Sequence, residues 1–276
     1  MASSENNCKH VRSIKVEYSV KKPEIAGSTL KIIALVTMLI DHIAATLLLE
    51  LIRDGIGGKA LIDVYWVMRS VGRMAFPIYC FLLVEGFKYT SDRTKYALRL
   101  VCFAAISEIP FDMAFNNGKA DMSSNNVFFT LFIGLLTIIV IDWIKGVRKI
   151  DKSHSTIKWL LASLIKCIVM MAVILIMMIL AEFVVCSDYG AAGIGCIVIM
   201  YLLMADRELA FGLGVILLGF LAGDIEFIAL FMVIPIHFYN GKRGMPLKYF
   251  FYAFYPAHLL LLSLLTAGVK YLVSIN

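Results

Sequence analysis

The chain has 276 residues, of which 61% are hydrophobic and only 17% are charged, whereas a soluble globular domain has about 25% charged residues. Its mean hydropathy is +0.85, and apolar runs recur from residue 30 onward. These features exclude a soluble enzyme, a disordered regulator and a nucleic-acid-binding domain, despite the net charge of +6. The sequence therefore predicts an all-α integral membrane protein in a lipid bilayer.

Apolar segments in chain order predict a polytopic bundle of about nine transmembrane helices, because roughly 20 apolar residues are needed to cross a bilayer. The segments between residues 190 and 238 are shorter than this. About 15 residues cross only where the bilayer thins or the helix stands upright, so the sequence leaves the number of short spans open. The nine segments are 30–52, 64–88, 96–115, 127–144, 157–185, 190–204, 209–221, 225–238 and 249–273.

The positions of Lys and Arg predict the orientation of the bundle. Alternate connections are basic, namely residues 1–28, 88–95, 145–158 and 242–248, except that the connection at residues 206–208 is neutral and does not indicate an orientation. Short cytoplasmic loops carry the excess of positive charge. We therefore expect a cytoplasmic N-terminus, an external C-terminus and a location in the cell (cytoplasmic) membrane, with residues 1–28 as a cytoplasmic tail and residues 29–273 as the transmembrane domain.

The six cysteines have no C-x-x-C or other metal-ligand spacing. Most of them fall within apolar runs or at their ends, where a thiol behaves as a small hydrophobic group. We expect neither a disulfide nor a metal site.

Ionisable residues inside the predicted spans are the most informative part of the sequence. An unpaired charge at the bilayer centre costs about 2.5–3.5 kcal/mol, so these groups are expected to pair with one another. Arg69 and Arg73 are four residues apart in the second span, as are Glu108 and Asp112 in the third. Each of these pairs therefore lies on one helix face. Antiparallel packing of the second and third spans then predicts the ion pairs Arg73–Glu108 and Arg69–Asp112. By spacing alone, this pattern also fits a purely structural salt-bridge lock between helices.

A histidine at mid-span favours chemistry over a structural lock. His42 follows Asp41 in the first span, and neighbouring charges can tune such an imidazole as a general base. Lys31 lies eleven residues earlier, on the same helical stripe and roughly 16 Å nearer the cytoplasmic end. This arrangement suits a long substrate with an anionic head, such as acyl-coenzyme A. The alternative is that Lys31 only snorkels at a helix end.

Three further features complete the candidate site. His258 follows Pro256 in the last span, near mid-depth, and is either part of a site wall or a packing residue. Lys242 and Arg243 lie between glycines at the cytoplasmic face, where such a turn can bind phosphates or merely set the topology. Pro110 interrupts the hydrogen bonding of the third span, and broken helices at membrane depth usually line a cavity.

Five longer motifs contain the candidate residues. They are LKIIALVTMLIDH at 30–42, VGRMAFPIYCFLLVEGF at 71–87, ISEIPFD at 106–112, YNGKRG at 239–244 and FYPAH at 254–258. In these motifs the sequence resembles the TraX family, integral membrane proteins named for the enzyme that acetylates the N-terminus of conjugative F-type pilin, and the resemblance covers about residues 29 to 272. The family is similar in turn to transmembrane acyltransferases that often begin with a basic residue, ten others and then His, which here is Lys31 to His42, with Lys where Arg is usual.

The resemblance implies an acyltransferase that moves an acetyl group from cytoplasmic acetyl-CoA to an amine or hydroxyl at or near the external face. The acceptor would be a peptide, a glycan or a small molecule, with no nucleic acid as partner and no metal as cofactor. The expected roles are His42 as general base with Asp41 or Glu108 as its orienting partner, Arg69, Arg73, Asp112 and His258 around the acceptor, and Lys31, Lys242 and Arg243 around the coenzyme phosphates.

Two other classes of function remain open. A proton-coupled transporter also carries ionisable residues within its spans, but its broken helices usually recur at matching positions in two halves. The charged spans of this chain cluster in its first 115 residues, and we find no such repeat. A structural membrane assembly protein held by a buried ionic lock is the second alternative.

Overall fold

The computed structural model describes residues 24–116, 119, 121, 123–147, 156–246 and 248–274. Across these residues the secondary structure is helical, apart from isolated β-bridges between Ile25 and Tyr239 and between Asn125 and Ser187. The predicted all-α class is confirmed. Residues 1–23 of the predicted tail lie outside the described part of the chain.

Each of the nine predicted segments coincides with helix. Within the described residues, five helical segments are long and apolar enough to cross a bilayer, which supports a membrane protein. The full count of nine crossings and the orientation of the termini stay predictions. The helices are α1 (Gly27–Arg53), α2 (Gly58–Gly72), α3 (Ala75–Tyr89), α4 (Arg93–Phe115), α5 (Val127–Gly146), α6 (Ile157–Val184), α7 (Gly190–Leu202), α8 (Arg207–Ala222), a 3₁₀ segment (Asp224–Met232), α9 (Val233–His237) and α10 (Lys248–Ser274).

The second predicted span is broken in its middle, between α2 and α3. Pro77 has no backbone N–H to donate to the carbonyl of Arg73, and its ring disfavours helix at that point. The helix therefore ends at Gly72 and begins again at Ala75. This break places the side chain of Arg73 at the centre of the span.

Helix α1 also departs from regular geometry beside the candidate base. The segment Ala44–Leu48, which begins two residues after His42, forms a π turn. The hydroxyl of Thr46 donates to the carbonyl of His42 at 2.7 Å. Such turns occur frequently at functional sites, because they change the direction in which the neighbouring side chains point.

The site helices form one side of the bundle. Helix α1 packs against α2, α3 and α10, whereas α4 packs mainly against α10 and α5. Fully buried residues such as Ile78, Leu135, Ile197 and Phe211 belong to the common core. Helix α6 is mostly exposed and apolar, as expected for a lipid-facing helix.

Candidate functional site

Two arginines and two carboxylates form an ionic cluster beside the break between α2 and α3. Asp41 accepts hydrogen bonds from Arg69 Nη1 at 2.7 Å and from Arg73 Nη2 at 2.9 and 2.8 Å. Arg73 Nη1 also donates to Glu226 Oε1 and to the hydroxyl of Tyr189, both at 3.3 Å. The Glu226 side chain is 3% exposed and that of Arg69 is 24% exposed. The formal charges balance, which a buried cluster requires.

The predicted ion pairs Arg73–Glu108 and Arg69–Asp112 are wrong. Glu108 accepts from the side-chain amide of Asn126, and Asp112 accepts from the amide of Asn116 at 2.8 Å. The prediction assumed that consecutive spans pack side by side. Instead, α2 packs on α1 and α4 packs on α10 and α5, so the arginines meet the carboxylate of α1.

His42 forms its hydrogen bond with the second predicted histidine. The Nδ1 atom of His42 lies 2.7 Å from Nε2 of His258. The Nδ1 atom of His258 lies 2.7 Å from the carbonyl oxygen of Phe254. The rings of Phe115 and Tyr255 make edge contacts with the His42 ring, at centroid distances of 5.5 and 5.9 Å. Asp41 and Glu108, expected to orient His42, have the other partners described above.

A cavity of about 290 Å³ connects the histidine to the ionic cluster. Its wall carries His42, Asp41, Arg69 and Arg73 together with the aromatic rings that surround the imidazole. Leu49, Tyr65, Ser124 and Asp188 continue the wall toward the end of the bundle that the charge pattern assigns to the outside. We call this the histidine cavity.

A larger cavity of about 500 Å³ lies at the opposite end of the bundle. Three cations from three separate segments line it, namely Lys31 of α1, Arg99 of α4 and Arg243 of the loop before α10, together with the carboxylate of Glu85, which pairs with Arg207. We call it the cationic cavity. Its aromatic lining residues are Tyr79, Tyr89, Tyr96, Phe128, Tyr239, Phe251, Tyr252 and Tyr255.

The two cavities meet inside the bundle. Met38, Tyr79, Val127 and Tyr255 line both of them. These four residues form a constriction between the cationic end and the imidazole of His42. The cationic cavity therefore borders on the cavity that holds the candidate base.

The structure places two of the three predicted cofactor-binding cations at the cationic cavity. Lys31 and Arg243 line the cationic cavity, and the Lys31 ammonium lies 5.5 Å from the centroid of the Phe251 ring. Lys242 does not line it. Its side chain is 76% exposed and its ammonium lies 3.8 Å from Glu24.

Arg99 and Glu226 are members of these sites that the sequence did not identify as such. The Nε atom of Arg99 is buried and has no hydrogen-bond partner in the described part of the chain. In the sequence, Arg99 could have been recognised as a cation about one helical turn after Tyr96, so that both side chains lie on the same side of α4. Glu226 looked like a charge in an external connection, because it lies near Gly223 and Asp224, but its carboxylate turns inward to Arg73.

The chain is similar to known proteins over most of its length. The family described as "TraX protein" matches residues 26–266. The chain is also 30% identical, over 257 residues, to a protein of Dichelobacter nodosus named "Probable fimbrial assembly protein FimC, serogroup H1", with 87% of this chain and 95% of that protein covered. No solved structure matches significantly. The chain therefore belongs to the TraX family.

Proposed function

We propose that the protein is an acetyltransferase of the cytoplasmic membrane that takes its acetyl group from cytoplasmic acetyl-CoA. The observation that carries this proposal is the meeting of the two cavities. The cationic cavity has the charges that the phosphates of a coenzyme need, and the histidine cavity has a base. A thioester at the end of a long carrier would reach His42 through the constriction that joins them.

The cationic cavity suits coenzyme A in charge, size and lining. Its volume falls in the range of about 300–1,000 Å³ that is usual for ligand pockets. Lys31, Arg243 and Arg99 would bind the phosphates, and the tyrosine and phenylalanine rings would pack against the adenine and the pantetheine arm. In this assignment Arg99 takes the place expected for Lys242.

The chemical step needs a base and an oxyanion partner. His42 would accept the proton of the acceptor amine or hydroxyl while that group attacks the thioester carbonyl. The new bond to the acetyl carbon forms, the carbon–sulfur bond breaks, and the leaving thiolate takes the proton from the His42 imidazolium to give free coenzyme A. Arg69 suits the oxyanion, because a single N–H of its guanidinium donates to Asp41 and its side chain reaches the cavity.

The acceptor would enter the histidine cavity from the opposite end of the bundle. Asp41, Asp188 and the hydroxyl of Tyr65 would offer polar contacts along this entry. The relative from Dichelobacter nodosus is named for fimbrial assembly, which favours a peptide of a surface-fibre subunit over a glycan or a small molecule. Arg73, held by Asp41 and Glu226, would fix the shape of this wall rather than contact the acceptor.

The first experiment uses the full chain, purified in detergent, with acetyl-CoA labelled in the acetyl group. We expect binding, slow hydrolysis and transfer of label to an acceptor peptide by the wild type. His42→Ala is expected to bind acetyl-CoA but to transfer no label. His237→Ala is the matched control, because His237 is exposed and pairs with Glu208. No binding, hydrolysis or transfer by the wild type would exclude the enzyme, and wild-type transfer by His42→Ala would exclude the assigned base.

A proton-coupled transporter is the second candidate, and the same meeting of cavities favours it. Two cavities that meet at a constriction could also serve as a path for an ion. In proteoliposomes, the transporter hypothesis predicts a proton flux without acetyl-CoA, whereas the acetyltransferase hypothesis predicts none. The two functions are therefore separated by one flux measurement.

A further inference from the structure

The hydrogen bond between His42 and His258 has a definite geometry. Their ring planes are within 2° of parallel, and the centroids are 5.0 Å apart. With the two nitrogen atoms only 2.7 Å apart, this separation means that the rings lie nearly end to end in one plane. The lone pair of an imidazole nitrogen lies in the ring plane, so the N–H of one ring points directly at the lone pair of the other.

The carbonyl of Phe254 decides which ring donates. A carbonyl oxygen only accepts hydrogen bonds, so the Nδ1 atom of His258, 2.7 Å away, carries a hydrogen. In a neutral His258, Nε2 is then an acceptor. The partner atom, Nδ1 of His42, must be the donor. In this arrangement Nε2 of His42 has no hydrogen and keeps its lone pair.

The surroundings favour the neutral pair. A charged His258 would need a negative partner, and its ring lies against the rings of Phe254 and Tyr255 instead. The carboxylate of Asp41 is already engaged by Arg69 and Arg73. A charged histidine would share this wall with the guanidinium groups of Arg69 and Arg73, whose positive charges disfavour it, and charge is costly at membrane depth.

We infer that His258 is a positioning residue that holds His42 in the tautomer protonated on Nδ1, which makes Nε2 of His42 the base nitrogen. The chain of donors runs from His42 Nδ1 to His258 Nε2, and from His258 Nδ1 to the carbonyl of Phe254. His258 thus does for His42 what an orienting carboxylate does in other base-assisted transfers. The catalytic part of this inference rests on the proposed function, whereas the tautomer does not.

The same arrangement explains why the last helix belongs to the site. Phe254 and His258 are one helical turn apart in α10, and their rings stack with centroids 4.8 Å apart. The stacking and the hydrogen bond to the carbonyl are both made within α10, and they fix the orientation of the His258 ring without help from α1. His258 is therefore oriented independently of any substrate.

Two measurements test the inference. Nitrogen-15 NMR of labelled imidazoles distinguishes protonated from unprotonated ring nitrogens, and His42→Asn identifies the His42 signals. We expect wild-type His42 to carry its hydrogen on Nδ1, the minor tautomer of a histidine free in water. His258→Leu should shift His42 toward the Nε2–H tautomer and lower kcat for acetyl transfer by about 10²–10⁴-fold, with a nearly unchanged KM for acetyl-CoA.

A second variant separates positioning from folding. His258→Gln keeps an acceptor for His42 and a donor for Phe254, and we expect it to retain the Nδ1–H tautomer and at least about a tenth of the wild-type kcat. A wild-type His42 protonated on Nε2, or a His258→Leu variant with wild-type tautomer and kcat, would overturn the inference. If the wild type transfers no acetyl group but His42 carries its hydrogen on Nδ1, the proposed function fails and the assignment of the tautomer stands.

Discussion

The backbone of Gly72 lies directly against the side chain of Asp41. A Cβ atom at Gly72 would be 2.2 Å from Asp41 Cβ and 2.3 Å from its Oδ1. No real Cβ makes contacts this short, so only glycine allows α2 to approach α1 so closely. This approach brings Arg69 and Arg73, before and after the glycine, within reach of one carboxylate.

Gly72→Ala is expected to push Asp41 out of its position and to lower the free energy of unfolding by about 1–3 kcal/mol, the usual cost of overpacking. The matched control is Gly268→Ala in α10, where an added Cβ meets open space. There, the better helix propensity of alanine should be neutral or slightly stabilising. Titration with a denaturing detergent in mixed micelles measures both values. Equal stability of the two variants would contradict the tight contact.

Asp41→Asn tests the ionic cluster itself. Removing one partner leaves Arg69 and Arg73 poorly compensated, and breaking a buried ion pair in this way typically costs about 3–5 kcal/mol. We therefore expect a large drop in the midpoint of thermal unfolding in detergent. Asp92→Asn is the control, because Asp92 makes an exposed pair with Lys95 and asparagine is an equally good helix cap, so its unfolding midpoint should stay close to the wild-type value. A similar effect of the two substitutions would show that the cluster is not stabilising.

The sequence predicted which residues gather better than it predicted how they pair. Hydropathy indicated the helices, and the cost of charge in a membrane indicated that Asp41, Arg69 and Arg73 need partners. Pro77 is a local signal for the break that places the side chain of Arg73 at the centre of the span. Pairing depends on which helices are neighbours. No local pattern showed that α4 would pack on α10 and leave Glu108 to Asn126.

The same reason explains the histidine pair. His42 and His258 are 216 residues apart in sequence, and their contact exists only because α1 packs against α10. Each histidine could be recognised as a polar group in an apolar helix. That the orienting partner of His42 is His258, rather than the adjacent Asp41, follows from helix geometry, since neighbours in sequence point to different faces of a helix.

Arg99→Met tests the donor end of the proposed function. A charge-assisted contact with a phosphate contributes about 1.5–3 kcal/mol, so we expect the Kd for coenzyme A to rise about tenfold to a hundredfold. Lys242→Met removes a cation of the same region that pairs with Glu24 outside the cavity, and its Kd should be unchanged. Isothermal titration calorimetry at two salt concentrations measures both. A weaker affinity in Lys242→Met with wild-type affinity in Arg99→Met would show that Lys242, rather than Arg99, binds the phosphates together with Lys31 and Arg243.

Val127→Phe tests the constriction between the cavities. Val127 lines both cavities at the start of α5, and a phenylalanine there would narrow the path without changing any charge. Coenzyme A should bind with nearly wild-type Kd, because the phosphate contacts remain. Acetyl transfer should fall by about a hundredfold or more, since small displacements of reacting groups have effects of this size. Val169→Phe makes the same substitution on the exposed face of α6 and should change neither quantity. Binding by equilibrium dialysis and transfer by label incorporation separate the two effects, and transfer at the wild-type rate in Val127→Phe would show that the acetyl group does not pass between Met38, Tyr79 and Tyr255.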